Sequence, residues 1–205
     1  MSFDQRHNIG VNFNYRFEDG VNYNGPKTEK VKIVDGKETV KEIEWLANTG
    51  FSLLFSAASG MPYTRSSTPY SAILGGLGTK TISGTINGSN LPWQFQADLR
   101  IDKTFMFNFN KNKKDENGKA KAAKIGYVTI YVDIQNLFNF KNIVSVYDYT
   151  GNPDDDGFLS AAAYQQNIQS QIYVPSFIWY YQMAVQNPYN YSRPIRASLG
   201  IQFGF

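Results

Sequence analysis

Apolar and polar positions alternate along this chain in long, regular runs. From Asn8 to Phe17, Ile9, Val11, Phe13, Tyr15 and Phe17 fall on one parity, and Asn8, Gly10, Asn12, Asn14 and Arg16 fall on the other. A period of two sends successive side chains to opposite faces of a strand, so the run predicts a strand with one apolar and one polar face. The pattern returns over Phe51 to Ala57, where Phe51, Leu53, Phe55 and Ala57 oppose Ser52, Leu54 and Ser56. It is longest over 93–109: Trp93, Phe95, Ala97, Leu99, Ile101, Lys103, Phe105, Phe107 and Phe109 oppose Gln94, Gln96, Asp98, Arg100, Asp102, Thr104, Met106 and Asn108. A fourth run, Tyr127 to Gln135, sets Val128, Ile130, Val132 and Ile134 against Tyr127, Thr129, Tyr131, Asp133 and Gln135, and a fifth closes the chain from Ile195 to Phe205. The prediction is an all-β chain of five long antiparallel amphipathic strands, at about 7–17, 50–64, 93–109, 124–137 and 193–205.

Such strands exceed the usual 5 to 6 residues of soluble sheets, and their length weighs on what covers the apolar face. A soluble sandwich turns its apolar parity inward, with shorter strands and a turn every 8 to 12 residues. A transmembrane barrel turns the apolar parity toward lipid and the polar parity toward a wet lumen, with tilted strands of about 10 residues. Asp98, Arg100 and Asp102 share one face; a dry core would have to pair all three fully, whereas a lumen hydrates them. The pattern therefore favours the barrel.

Composition narrows the chemistry. No stretch approaches the 18 or so consecutive apolar residues of a membrane helix. The chain has no cysteine and a single histidine, His7, which leaves no thiolate metal site or thiol nucleophile and little basis for a Ser-His-Asp enzyme. A net charge of +3, with lysines in two local runs, gives nucleic-acid binding little support. Aromatic residues make up 16% of the chain beside many neutral polar ones, a mixture that suits two-faced strands.

The connections give the barrel an orientation. Outer-membrane barrels keep short turns at the periplasmic end and long loops outside, and their last strand finishes in the periplasm. Counting back, the loops at about 66–92 and 139–192 are extracellular, and the charged turn from Asn110 to Lys124, with its Asn117-Gly118 break, is periplasmic. The segment at about 18–48 is an insert on the periplasmic side, and its Val31-to-Glu44 pattern around Asp35-Gly36 predicts a projecting hairpin.

Several segments, in order, carry a resemblance: "DQRHNIGVNFNYRF" (4–17), "FSAASGMPYT" (55–64), "FQADLRIDKTF" (95–105), "VDIQNLFNFKNIVSVYDYTGNPDDDGFLS" (132–160) and "NPYNYSRPIRASLGIQFGF" (187–205). Together they resemble the end of the barrel in TonB-dependent outer-membrane receptors of the Bacteroidetes type, over nearly the whole chain apart from the 18–48 insert. The resemblance implies the C-terminal segment of a large barrel, an incomplete up-and-down meander over 1–205, in a protein of the Gram-negative cell outer membrane that imports a bulky nutrient and is not an enzyme. It implies no cofactor, and as partners outer-membrane lipid, the barrel-assembly machinery, the remainder of its own barrel and plug, the TonB system through that plug region, and a surface lipoprotein. It also implies that Ser198, Gly200, Phe203 and Phe205 form the terminal signal read by the assembly machinery. A full receptor has a signal peptide, a plug and about 22 strands; on that comparison the chain reads as the C-terminal piece of a larger protein, with Met1 an internal methionine, an engineered start or a miscalled one. A plug-less or assembly-associated structural barrel, and a soluble all-β carbohydrate-binding module, are the alternatives.

Candidate binding groups follow from the same layout. Asp98, Arg100, Asp102, Asp133 and Gln135 sit on the lumen-facing parity, as contacts to solute or plug or as a structural charge ladder. In the outer loop, Tyr173, Phe177, Trp179, Tyr180, Tyr181, Tyr189 and Tyr191 offer rings to an extracellular ligand, or form an interfacial girdle packed on itself. Asp154, Asp155 and Asp156 in "GNPDDDG" are a weak metal candidate lacking the spacing of a calcium loop, with a solvated Asn152-Pro153 turn as the other reading. His7 reads as a capping or packing residue, and Gly75 to Gly78 lacks the following Lys-Ser/Thr of a phosphate loop.

Overall fold

The computed structural model is mostly β, 40% strand and 15% helix, as the alternation predicts. It describes residues 4–34, 37–75, 79–109 and 124–205, with the side chains of 32–39 outside that description. The expected turns at Asp35-Gly36 and Asn117-Gly118, and Gly76 to Gly78 of the "GGLG" stretch, lie outside the described residues.

The strands are β1 (Asn8–Phe17), β2 (Thr28–Val34), β3 (Lys37–Ile43), β4 (Thr49–Ala58), β5 (Pro62–Tyr63), β6 (Ser89–Asn90), β7 (Gln94–Asn108), β8 (Ile125–Gln135) and β9 (Arg196–Gly204). Five of them form one antiparallel sheet in the order β1-β4-β7-β8-β9, so each long strand lies beside the next long strand in sequence. β2 and β3 pair separately as an antiparallel hairpin, Thr28 opposite Ile43 through Val34 opposite Lys37. β5 and β6 form a short pair of their own.

Register transmits the alternation from strand to strand. Ile101 faces Val132 and Val132 faces Leu199; Phe105 faces Val128 and Val128 faces Phe203. On the other parity Arg100, Asp133 and Ser198 form a row, as do Asp102, Tyr131 and Gly200, and Thr104, Thr129 and Gln202. A one-residue slip would send every apolar side chain to the wrong face. Many large side chains of the apolar face are open among the described residues: Phe13, Leu199 and Phe203 are 59%, 72% and 71% exposed, while Ala57 and Ala97 on the same parity are buried.

Two glycines explain the polar parity of β9. A Cβ at Gly200 would collide with the Tyr131 ring, and one at Gly204 with the Tyr127 ring. These are the residues' own cross-strand partners, so each tyrosine lies flat over a glycine and covers backbone that has no side chain of its own.

The chain divides into two compact units. One comprises Val11–Phe55, Ala97–Leu137 and Ile195–Phe205; the other comprises Met1–Gly10, Ser56–Gln96 and Phe138–Pro194. In the second unit the expected single strand over 50–64 breaks. β4 ends at Ala58, and at Gly60 the Leu91 backbone passes so close that a Cβ would strike its carbonyl. Leu91 N–H then donates to Met61 O at 2.9 Å, just before the β5 and β6 pairing.

The second unit also departs from the expected loop over 139–192. Helices α1 (Gln165–Gln169) and α2 (Val174–Val185) form there. In α2 the period changes from 2 to 3.6: Phe177, Tyr181 and Val185 recur every four residues on one face, and Pro175 sits in the first turn, where its missing N–H costs nothing. Tyr181 and Val185 join Phe158 and Ile168 in a small core, with Phe177 packed against it.

Substituting Gly200→Ala is expected to lower stability by about 1–3 kcal/mol, the usual cost of forcing an extra carbon into a filled site. Equilibrium denaturation of Gly200→Ala, Tyr131→Ala and the double variant checks this: the double variant should lose less than the sum of the singles, and strict additivity would contradict the stacking account.

Candidate functional site

The polar face of the sheet unit carries a ladder of paired charges. Arg16 Nη2 donates to Asp102 Oδ2 at 2.7 Å, linking β1 to β7 over Gly50, where a Cβ would run into both side chains. Arg100 lies 4.1 Å over the Tyr131 ring and reaches Asp133 at a longer 3.4 Å. Beside it Thr104 and Thr129 share a hydroxyl hydrogen bond of 2.9 Å across β7 and β8, Ser52 donates to Asn14 Oδ1 at 2.5 Å, and Asn136 N–H donates to Asp98 Oδ1. Partly exposed ion pairs of this kind contribute only about 0–1 kcal/mol each, so the ladder sets the chemistry of a wet surface more than it stabilises the sheet.

Of the sequence-predicted face residues, Asp98, Arg100, Asp133 and Gln135 line one depression of about 260 Å³, together with Ser198 of β9. Asp102 lines a neighbouring one of about 300 Å³ with Asn14, Arg16 and Ser52. Sequence reasoning did not single out Arg16 or Tyr131, although both fall on the right parity; what it lacked was the register that sets Arg16 against Asp102 and Arg100 over Tyr131. Of the terminal residues, Ser198 and Gly200 hold the polar face of β9, whereas Phe203 and Phe205 stand exposed.

In the second unit "GNPDDDG" is a structural knot rather than a solvated turn. Asp156 is 1% exposed, and its carboxyl accepts from three donors: Tyr181 OH at 2.6 Å, Ala72 N–H at 3.0 Å and Phe158 N–H at 3.0 Å. Buried Ser71 Oγ hydrogen bonds Tyr181 OH at 2.8 Å and accepts from Leu74 N–H. Burial, and then the bond to Asp156, holds the Tyr181 phenol well above the usual tyrosine range. The run's other two carboxyls point elsewhere: Asp155 accepts from Gly157 N–H in its own turn, and Asp154 accepts from Tyr191 OH. The three do not converge, and among the described residues no group of three or more His, Asp or Glu side chains could hold a metal ion.

The seven aromatic candidates separate in the same way. Tyr181 is buried in the core, and Phe177 packs on it with ring centroids 5.8 Å apart; both are structural. Tyr173, Trp179, Tyr180 and Tyr189 are exposed. Tyr191 alone of the seven lines a cleft of about 610 Å³, formed with Asn139, Phe140, Lys141, Asp154 and Gln186. Lys141 Nζ stands 3.8 Å over the Tyr191 ring, and the hydrogen bond to Asp154 pushes the Tyr191 phenol up to about 12. Amides, an ammonium, a carboxyl and aromatic rings on one concave wall can hydrogen-bond and stack against a polar ligand. His7 stacks on Trp93, with centroids 6.0 Å apart and planes within 4°, a packing contact.

Comparison of the chain with family models, with curated proteins and with solved structures found no match.

Asp156→Ala is expected to strip the acceptor from two backbone amides and the Tyr181 hydroxyl and to destabilise this unit by about 3 kcal/mol or more, given about 1–3 kcal/mol per buried group left unsatisfied. Asp155→Ala, which frees only an exposed local turn, should cost under about 1 kcal/mol. Hydrogen exchange at the Ala72 and Phe158 amides checks the pair: both should exchange faster in Asp156→Ala and be unchanged in Asp155→Ala.

Proposed function

We propose that this chain is the C-terminal barrel segment of a TonB-dependent outer-membrane receptor, a transporter that takes up a bulky nutrient with energy delivered from the inner membrane. One observation carries the reading: the five-stranded sheet has a largely apolar face, many of whose large side chains stand exposed among the described residues, opposite a face of paired charges and hydroxyls. A soluble sandwich needs the reverse, with the apolar face under protein and the charges outside. The same sheet leaves β1 and β9 as outer strands, and unpaired backbone is not tolerated in hydrocarbon, so in a bilayer both strands must pair with further strands of a closed barrel. On this reading the exposed aromatics and the cleft at Tyr191 belong to extracellular loops that contact ligand, and β9, with Phe203 and Phe205, carries the signal for barrel assembly. The protein works by binding and passage and is not an enzyme; its partners are outer-membrane lipid, the assembly machinery, the remainder of the barrel and plug, the TonB system and a surface lipoprotein.

The absence of cysteine allows a direct test on β8, an inner strand. Nitroxide labels on single cysteines at Val128, Ile130 and Val132, in chain reconstituted into lipid vesicles, should collide preferentially with oxygen, which concentrates in hydrocarbon. Labels at Thr129, Tyr131 and Asp133 should collide preferentially with a water-soluble nickel chelate. The opposite phase, or a chain that stays in the aqueous fraction, would overturn the membrane reading.

A further inference from the structure

The apolar parity of β7 is broken once, by Lys103, which sits opposite Ile130 in the register that carries Phe105 and Ile101. Its ammonium is held in place: Nζ donates to Trp45 O at 2.6 Å and to Ala47 O at 2.7 Å. It forms no ion pair among the described residues. An ammonium has three N–H donors, and the two carbonyls take two of them; Nζ also lies 6.0 Å from the centre of the Phe105 ring, a long contact that leaves room for an oxygen acceptor. Between the two carbonyls that fix Lys103 lies Leu46 in the sequence, and Leu46 is one of the residues that line a shallow, open groove of about 600 Å³ on the sheet's apolar face. The groove is lined only by apolar and aromatic side chains; Phe13, Tyr15, Phe17 and Phe51 form its aromatic wall, and Leu99 lines it as well. Tyr15 and Phe17 meet edge to face at 4.9 Å, and Phe17 meets Phe51 the same way at 6.0 Å. Trp45, more than half exposed, adjoins Leu46.

A fixed positive charge held on the two carbonyls that flank Leu46, one of the residues lining this shallow and wholly apolar groove, is complementary to an amphiphile with an anionic head and a hydrocarbon tail. We propose that this groove is a specific site for an anionic phospholipid, its phosphate on Lys103 and an acyl chain along Phe13, Tyr15 and Phe17. This rests on the reading of the apolar face as lipid-facing and goes beyond it: bulk lipid needs no charge on that face, and a lysine there would otherwise be removed from water without an anion. The tie to Trp45 O and Ala47 O pre-orients the ammonium, which lowers the ordering cost of binding. Trp45 adds an amphipathic ring of the kind that settles at headgroup level.

The test uses the full chain carrying Trp93→Phe and Trp179→Phe, so that Trp45 is the only tryptophan, in phosphatidylcholine vesicles containing a minority of brominated phosphatidylglycerol. Bromine quenches a ring it touches. The expected result is that brominated phosphatidylglycerol is enriched at Trp45 about fivefold over brominated phosphatidylcholine at the same mole fraction, the preference that one lysine at an anionic surface supplies. The enrichment should persist in Lys103→Arg and vanish in Lys103→Gln. Equal quenching by the two lipids overturns the site while leaving the barrel reading in place, and so does enrichment that survives Lys103→Gln. Displacement of the brominated lipid by inorganic phosphate at matched ionic strength overturns the assignment to a lipid. If vesicles made wholly of brominated phosphatidylcholine fail to quench Trp45, no acyl chain reaches this groove and the site falls, while the label pattern on β8 decides the membrane reading separately.

Discussion

Register is the constraint on which the rest of this structure depends. The pairing of β7 with β8 and of β8 with β9 carries parity across three strands without a slip, so Ile101, Val132 and Leu199 fall in one row and Asp102, Tyr131 and Gly200 in the next. Each backbone ladder is ordinary; its consequence is collective. Most apolar side chains of a 15-residue and an 11-residue strand are committed to one face, Met106 and Ile125 excepted, and many of the large ones stand exposed among the described residues. The opposite face collects the charges. Arg16, Arg100 and Asp133 are paired yet partly open, and Asp102 is mostly covered by its pairing with Arg16, an arrangement that water tolerates and a dry core would not.

Much of this was legible in the sequence because a period of two is a property of the backbone, and the five runs predicted from it coincide with the five strands of the main sheet. What was not legible depended on contacts between segments distant in the chain. Gly60 ends β4 because the Leu91 backbone crosses it, and no local signal in "SAASGMPYT" announces that. Helix α2 was hidden by its aromatics: "PSFIWYYQMAV" reads as a sticky loop until Phe177, Tyr181 and Val185 are taken four apart. Asp156 looked like a surface turn because its neighbours Asp154 and Asp155 are charged too; only the fold brings Ser71, Ala72 and Tyr181 around it. Lys103 was visible as a polar residue on the apolar parity, yet its meaning appears only with the Trp45 and Ala47 carbonyls beside it.

In the second unit, a carboxyl with three donors takes the place that a larger hydrophobic core would occupy. Phe158, Ile168, Tyr181 and Val185 make a small cluster, and Asp156 cross-links the segment around Ala72, the turn before Phe158 and helix α2 through hydrogen bonds that leave its oxygens satisfied. Such a network is costly to break and specific in geometry. It fixes α2 with Trp179, Tyr180 and Met183 outward, so an exposed aromatic surface stands on a rigid base.

The proposal that ties these features together is that lipid covers the apolar face and water the polar one, with the strands crossing a bilayer as part of a closed barrel. Polarised infrared spectroscopy of the chain in oriented bilayers tests it most directly, because the amide I dichroism reports how strands lie relative to the membrane. The account predicts an antiparallel β signal with strands tilted roughly 35–45° from the bilayer normal. Strands lying in the membrane plane, or a chain that folds in buffer and leaves the bilayer empty, would contradict it.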